Sequence, residues 1–183
     1  MSPRDAASMH AVLEFWTRAG MERWFGKDEA FDADFRRRFL ELHMAVAARR
    51  HDDWLGTPDG ALALLILTDQ FPRNAFRGTA HMYATDPLAR HFARRALAQG
   101  FMDRIDPALR VFLCLPFTHS EDLADQDRGV ELNVPLGGTT LEFACHHRDI
   151  IRRFGRFPHR NRLLGRESTP EEEQFLAAGG FSG

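Results

Sequence analysis

Three polar segments hold residue types that acid–base or anion chemistry needs. The first, "DQFPRNAFRG", offers Asp69, Gln70, Arg73, Asn74 and Arg77. The second, "LPFTHSEDLADQD", offers His119, Ser120, Glu121, Asp122, Asp125 and Gln126. The third, "RRFGRFPHRNRLLGR" (152–166), brings Arg156, His159, Arg160, Asn161 and Arg166 into a turn with no acid, with His146 and His147 just upstream. Guanidinium forks grip phosphate or carboxylate through paired hydrogen bonds, so Arg73, Arg160 and Arg156 are candidate anion clamps. Asn74 and Asn161 can supply the remaining hydrogen bonds. His119, with Glu121 or Asp122, is the acid/base pair if a reaction follows.

Each segment also has a structural explanation. "THSE" (118–121) fits a capping box, and acids suit the first turn of a helix. His119 and Ser120 are neighbours in sequence and so are not themselves a nucleophile–base pair, and no G-x-S-x-G elbow is present. The nine histidines show neither H-E-x-x-H nor H-x3-H spacing, so no metal site is assigned. The arginines could instead close on acids inside the protein. Arg73, Arg77, Arg152, Arg153, Arg156, Arg160, Arg162 and Arg166 outnumber Asp69, Glu121, Asp122, Asp125, Asp127 and Asp149. That surplus favours a pocket for an anion over a closed network, without demanding it.

Helix signals position these segments. Thr57-Pro58, Asp86-Pro87, Asp106-Pro107 and Thr169-Pro170 each set a capping side chain before a proline. Gly100 and Gly179 follow apolar-periodic runs as stops. Phe31, Phe35, Phe39, Leu42 and Val46 trace one face of a helix from about Asp32 to Trp54. "DQFP-RN" and "GRFPHRN" echo one another, aligning Phe71, Pro72, Arg73 and Asn74 with Phe157, Pro158, Arg160 and Asn161. Proline disfavours helical geometry in the preceding residue, so both helices are expected to stop or kink at the Phe. No alternating strand pair appears. The expectation is all-α: about seven to nine helices in stacked antiparallel hairpins, forming a single domain over 1–183.

The 183 residues carry 24 Lys and Arg against 26 Asp and Glu, a formal charge of −2, which argues against a nucleic-acid or membrane-surface partner. Cys114 and Cys145 form no CxxC and read as buried free thiols. The start of the chain lacks a long apolar run, and the longest such run, "ALALLILT", is too short to span a bilayer. A cytoplasmic protein is expected. The sequence assigns no cofactor.

"LTDQFPRNAFRG", "LPFTHSEDLADQ" and "FGRFPHRNRLLGRESTPEEEQFL" together resemble the bacterial domain-of-unknown-function family 924. The likeness extends from "VLEFW" to the end of the chain. It implies a tetratricopeptide-like helical superhelix and carries no established activity. The family's motif positions fall on Asp69, Gln70, Arg73, Asn74, Arg77, His119, Ser120, Glu121, Asp122, Gln126, His147, Arg156, His159, Arg160, Asn161 and Arg166. Two functions stay open: binding of a small anionic ligand, with or without hydrolytic chemistry, and a scaffold for peptides or proteins in which these polar groups are structural.

Overall fold

Capping side chains set where the helices begin. Thr57 accepts a hydrogen bond from Gly60 N–H and opens α3 (Pro58–Leu65). Thr169 opens α9 (Pro170–Ala177) through a complete capping box with Glu172. Asp28 caps α2 (Glu29–Ala47), and Asp106 caps a short 3₁₀ turn. The computed structural model describes residues 3–183, which are helical with no strand among them. The other α-helices are α1 (Pro3–Phe25), α4 (Phe71–Ala75), α5 (Asp86–Ala98), α6 (Val111–Thr118), α7 (Leu123–Asn133) and α8 (Gly138–Phe154).

Two compact units divide these residues. The first runs to Arg77 and includes His81–Pro116; the second comprises Gly78–Ala80 and Phe117–Gly183. In the first, residues 60–65 of α3 are all buried, and α3 packs against α1 and α5. The α2 face carrying Phe31, Phe35 and Phe39 closes on Trp16 and Phe71. In the second, α7 packs on α8, and Ile150, Ile151 and Phe157 form a core extended by Phe154, Phe175 and Phe181.

Three local expectations change. The helix through Phe35 ends at Ala47, not Trp54, because Arg49 adopts a left-handed φ of 63°. Arg49 and Arg50 N–H then cap the Val46 and Ala45 carbonyls at 2.9 and 3.0 Å. The segment "THSE" is not a capping box: Thr118 ends α6, and Asp122 caps α7 by accepting from Asp125 N–H at 3.0 Å. The two Phe-Pro turns also differ. Phe157 is extended and follows a break at Gly155, whereas Phe71 stays helical. There the chain widens into a π-helical turn, Ile66–Gln70, which makes room for Pro72.

Within the second unit, Gly129 of α7 lies against the end of α6. A Cβ at this position would meet Thr118 Cγ2 at 2.9 Å and Thr118 N at 3.2 Å. Gly129→Ala is expected to cost about 1–3 kcal/mol, the range for overpacking a filled contact. Urea denaturation measures it, and an unchanged midpoint would contradict the close approach.

Candidate functional site

The π-helical turn brings Asp69 and Gln70 inside the first unit, where Gln70 Nε2 donates to Asp69 Oδ2 at 2.6 Å. Arg73, one turn on, donates to both oxygens of Asp86 at 2.8 and 3.0 Å and to the Asp69 carbonyl at 2.7 Å; its guanidinium is also 3.2 Å from the Asp69 carboxylate. Burial works against the charged form of Arg73, but these two carboxylates overcome it and raise its pKa. Asp86 therefore serves Arg73 while Thr85 takes the N-cap position of α5. Arg77 reaches back to Asp32 at 2.8 Å and donates to Asn74 Oδ1 at 3.1 Å. Asn74 is buried as well, so this Arg-Asn pair does not project into solvent.

In the second unit the acidic segment holds its own turn together. Ser120 Oγ donates to Asp125 at 2.9 Å, and Gln126 Nε2 donates to the Thr118 and Ser120 carbonyls at 2.8 and 2.6 Å. Asp122 is the α7 cap. Glu121 accepts from Arg166 at 2.7 and 2.9 Å and from Phe157 N–H at 2.8 Å. Burial would raise the Glu121 pKa, but the Arg166 hydrogen bonds, the Phe157 N–H and the charges of Arg160 and Arg166 bring it down. Arg156 is matched in the same way, donating to Glu172 at 2.6 and 2.8 Å. That pairing holds the Glu172 carboxyl at about 2 against burial, helped by Thr169 N–H and by Asn161 Nδ2, 3.2 Å away.

These partners correct the charge count. Asp32, Asp86, Glu171 and Glu172 lie outside the three polar segments, yet they answer Arg77, Arg73, Arg153 and Arg156. The apparent surplus of arginines came from leaving them out. Separation in sequence hid Asp32, Glu171 and Glu172 from their arginines, and Asp86 was read only as a helix cap.

Arg160, whose charge helps lower the Glu121 pKa, also packs on an aromatic ring. It is 6% exposed, and its guanidinium lies 4.4 Å from the centroid of the Phe157 ring. The same ring has His147 at 5.5 Å and His159 at 5.6 Å, and His119 stands 6.4 Å from His147. His147 Nδ1 lies 2.7 Å from the Phe143 carbonyl, which can only accept, so Nδ1 carries the proton and Nε2 presents a lone pair. His159 Nδ1 is buried and finds no hydrogen-bonding partner among the protein atoms. Burial and the His119 charge lower the His147 pKa to about 4, with smaller contributions from His146 and Arg160. Burial, then Arg160, then His147 lower that of His159 to about 3, against an opposing pull from Glu121. Both imidazoles are neutral at neutral pH and able to accept a proton. No group of three or more His, Cys, Asp or Glu among the described residues is arranged to hold a metal ion.

Some features left no mark in the sequence pattern. Phe181 packs on His147 at 4.6 Å and on His159 at 5.1 Å. A cleft of ≈ 450 Å³ in the first unit is lined by Arg49, Asp52, His91 and Arg95, and another of ≈ 440 Å³ opens over Phe15 between α1 and α2. Neither cleft includes a residue of the three polar segments. Cys114 is buried as expected, but Cys145 is only half-buried. Among the described residues no helix is long and apolar enough to cross a membrane.

The family described as "Bacterial protein of unknown function (DUF924)" matches residues 12–180. The chain belongs to this family. It is similar to a solved structure of a protein of unknown function from Agrobacterium tumefaciens, with 55% identity over 95% of this chain and 99% of that one, and a TM-score of 0.93. No curated protein matches the chain. Family membership confirms the resemblance read from the three polar segments and brings no activity with it.

The depressed imidazoles make a pH prediction. Unfolded, both titrate near the ordinary value of about 6.5, so between that pH and their folded values of about 4 and about 3 the unfolded chain binds more protons. Stability should therefore fall as pH drops from about 7 towards about 5, before most carboxylates titrate. In thermal melts the double variant His147→Gln, His159→Gln should show a flatter dependence over that window. An identical slope would contradict the neutral state of these half-buried rings.

Proposed function

We propose that the protein binds a small anionic ligand, bearing phosphate or carboxylate, through Arg160 with His147, His159 and His119. The observation that carries this is the meeting of Arg160, His147 and His159 around the Phe157 ring, with one buried imidazole nitrogen, His159 Nδ1, lacking a protein partner. A buried polar atom without a partner is costly, and a ligand that supplies one recovers that cost. The charges that keep these rings neutral in the free protein favour an anion among them. A bound anion raises the imidazole pKa values in turn, so binding takes up protons and tightens as pH falls. If hydrolysis follows, the lone pair on His147 Nε2 is the general base the geometry offers.

Asp69, Gln70, Arg73, Asn74 and Arg77 then serve the fold, as do Arg156, Asn161 and Arg166, each through the contacts already described. Their closed ion pairs also suit a second reading, a helical scaffold for a peptide or protein partner in which Arg160 is structural too.

Calorimetric titration with sulfate, whose charge is constant between about pH 8 and about pH 5, separates the two readings. Affinity should rise as pH falls, and Arg160→Met, which keeps the bulk over Phe157, should lose about tenfold or more while remaining folded. Absence of binding by sulfate, phosphate and simple carboxylates to the wild-type chain would contradict the anion site.

A further inference from the structure

The segment after α9 covers the histidine cluster in an unusual way. Gly179 takes a left-handed φ of 82°, and the last backbone hydrogen bond of the segment is Gly180 N–H to the Phe175 carbonyl at 2.9 Å. Gly180 must be glycine, because a Cβ there would meet the Phe175 ring at 2.6 Å. Beyond Gly180, no hydrogen bond ties residues 181–183 to the other described residues. Ring contacts hold Phe181 instead: edge-on to His147 at 4.6 Å and 62°, edge-on to His159 at 5.1 Å and 83°, and 6.4 Å from Phe157. It is half-buried on the two imidazoles assigned to the anion, beside the ring that Arg160 covers.

An aromatic side chain held by ring and core packing with no hydrogen bond, next to a diglycine, can be exchanged for another ring at little cost in contacts. We propose that Phe181 stands in for a ring on the ligand. The ligand is then an aromatic anion: a planar ring bearing phosphate or carboxylate, which displaces Phe181 from His147 and His159 while its anionic group meets Arg160. This rests on the anion site proposed above and adds to it the class of ligand and a self-occupied resting state.

The test compares inorganic phosphate with phenyl phosphate on the full chain, wild type and Phe181→Ala, by calorimetry, with thermal melts to confirm folding. Phenyl phosphate should bind Phe181→Ala about tenfold more tightly than wild type, while inorganic phosphate changes by less than about twofold. In wild-type protein, phenyl phosphate should abolish the nuclear Overhauser contacts between Phe181 and His147, and inorganic phosphate should preserve them. This second readout needs no variant. If phosphate binds but the phenyl group gains nothing in Phe181→Ala and leaves those contacts intact, the ring-exchange proposal fails and the anion site stands. If neither compound binds either protein, both fail.

Discussion

Burying a guanidinium is costly without a counter-charge, and that cost sorts many of the polar residues of this chain. Arg73 meets it with Asp69 and Asp86, Arg156 with Glu172, and Arg166 with Glu121. Each pair also fastens something else. The first joins the π-helical turn to the start of α5, and the second ties α9 to the turn after α8. Glu121 holds the extended backbone of Phe157 through its N–H. The Phe157 ring is thereby fixed as the surface on which Arg160, His147 and His159 gather. The Glu121–Arg166 pair thus holds the ring on which the candidate site gathers, and its charges act on His159.

How much of this was legible in the sequence follows the range of each interaction. The caps at Thr57, Asp106 and Thr169 could be read because each cap and the backbone N–H that donates to it lie within three residues. Asp86 and Glu121 carried the same local signals, but long-range pairing with Arg73 and Arg166 decided their roles. The end of α2 was not legible, since its left-handed position holds Arg49 in place of the usual glycine. The all-α class was secure because apolar spacing, caps and stops agreed. For the site, the types and neighbourhood of His147, His159 and Arg160 were visible, and their sharing of Phe157 was not. Phe181 follows two glycines and belongs to no periodic face, so nothing in the pattern marked it.

The echoed Phe-Pro turns show similar residues put to different uses. Both phenylalanines are fully buried, as the sequence suggests. At Phe71 the helix widens and continues, and the following Arg-Asn pair is consumed by Asp86 and Arg77. At Phe157 the helix has already stopped, the backbone is extended, and Arg160 folds back over the ring. The first copy engages its Arg-Asn pair with Asp86 and Arg77, and the second gathers a cation and imidazoles on one ring.

Direct observation of the imidazoles decides most. Nitrogen-15 spectra of the histidine side chains, followed across pH, give the titration of His147 and His159 in free protein and with saturating sulfate. The anion-site reading predicts values near 4 and 3 without ligand, and a rise of both with sulfate. Titration of both rings at the ordinary histidine value of about 6.5, unmoved by sulfate, would contradict it.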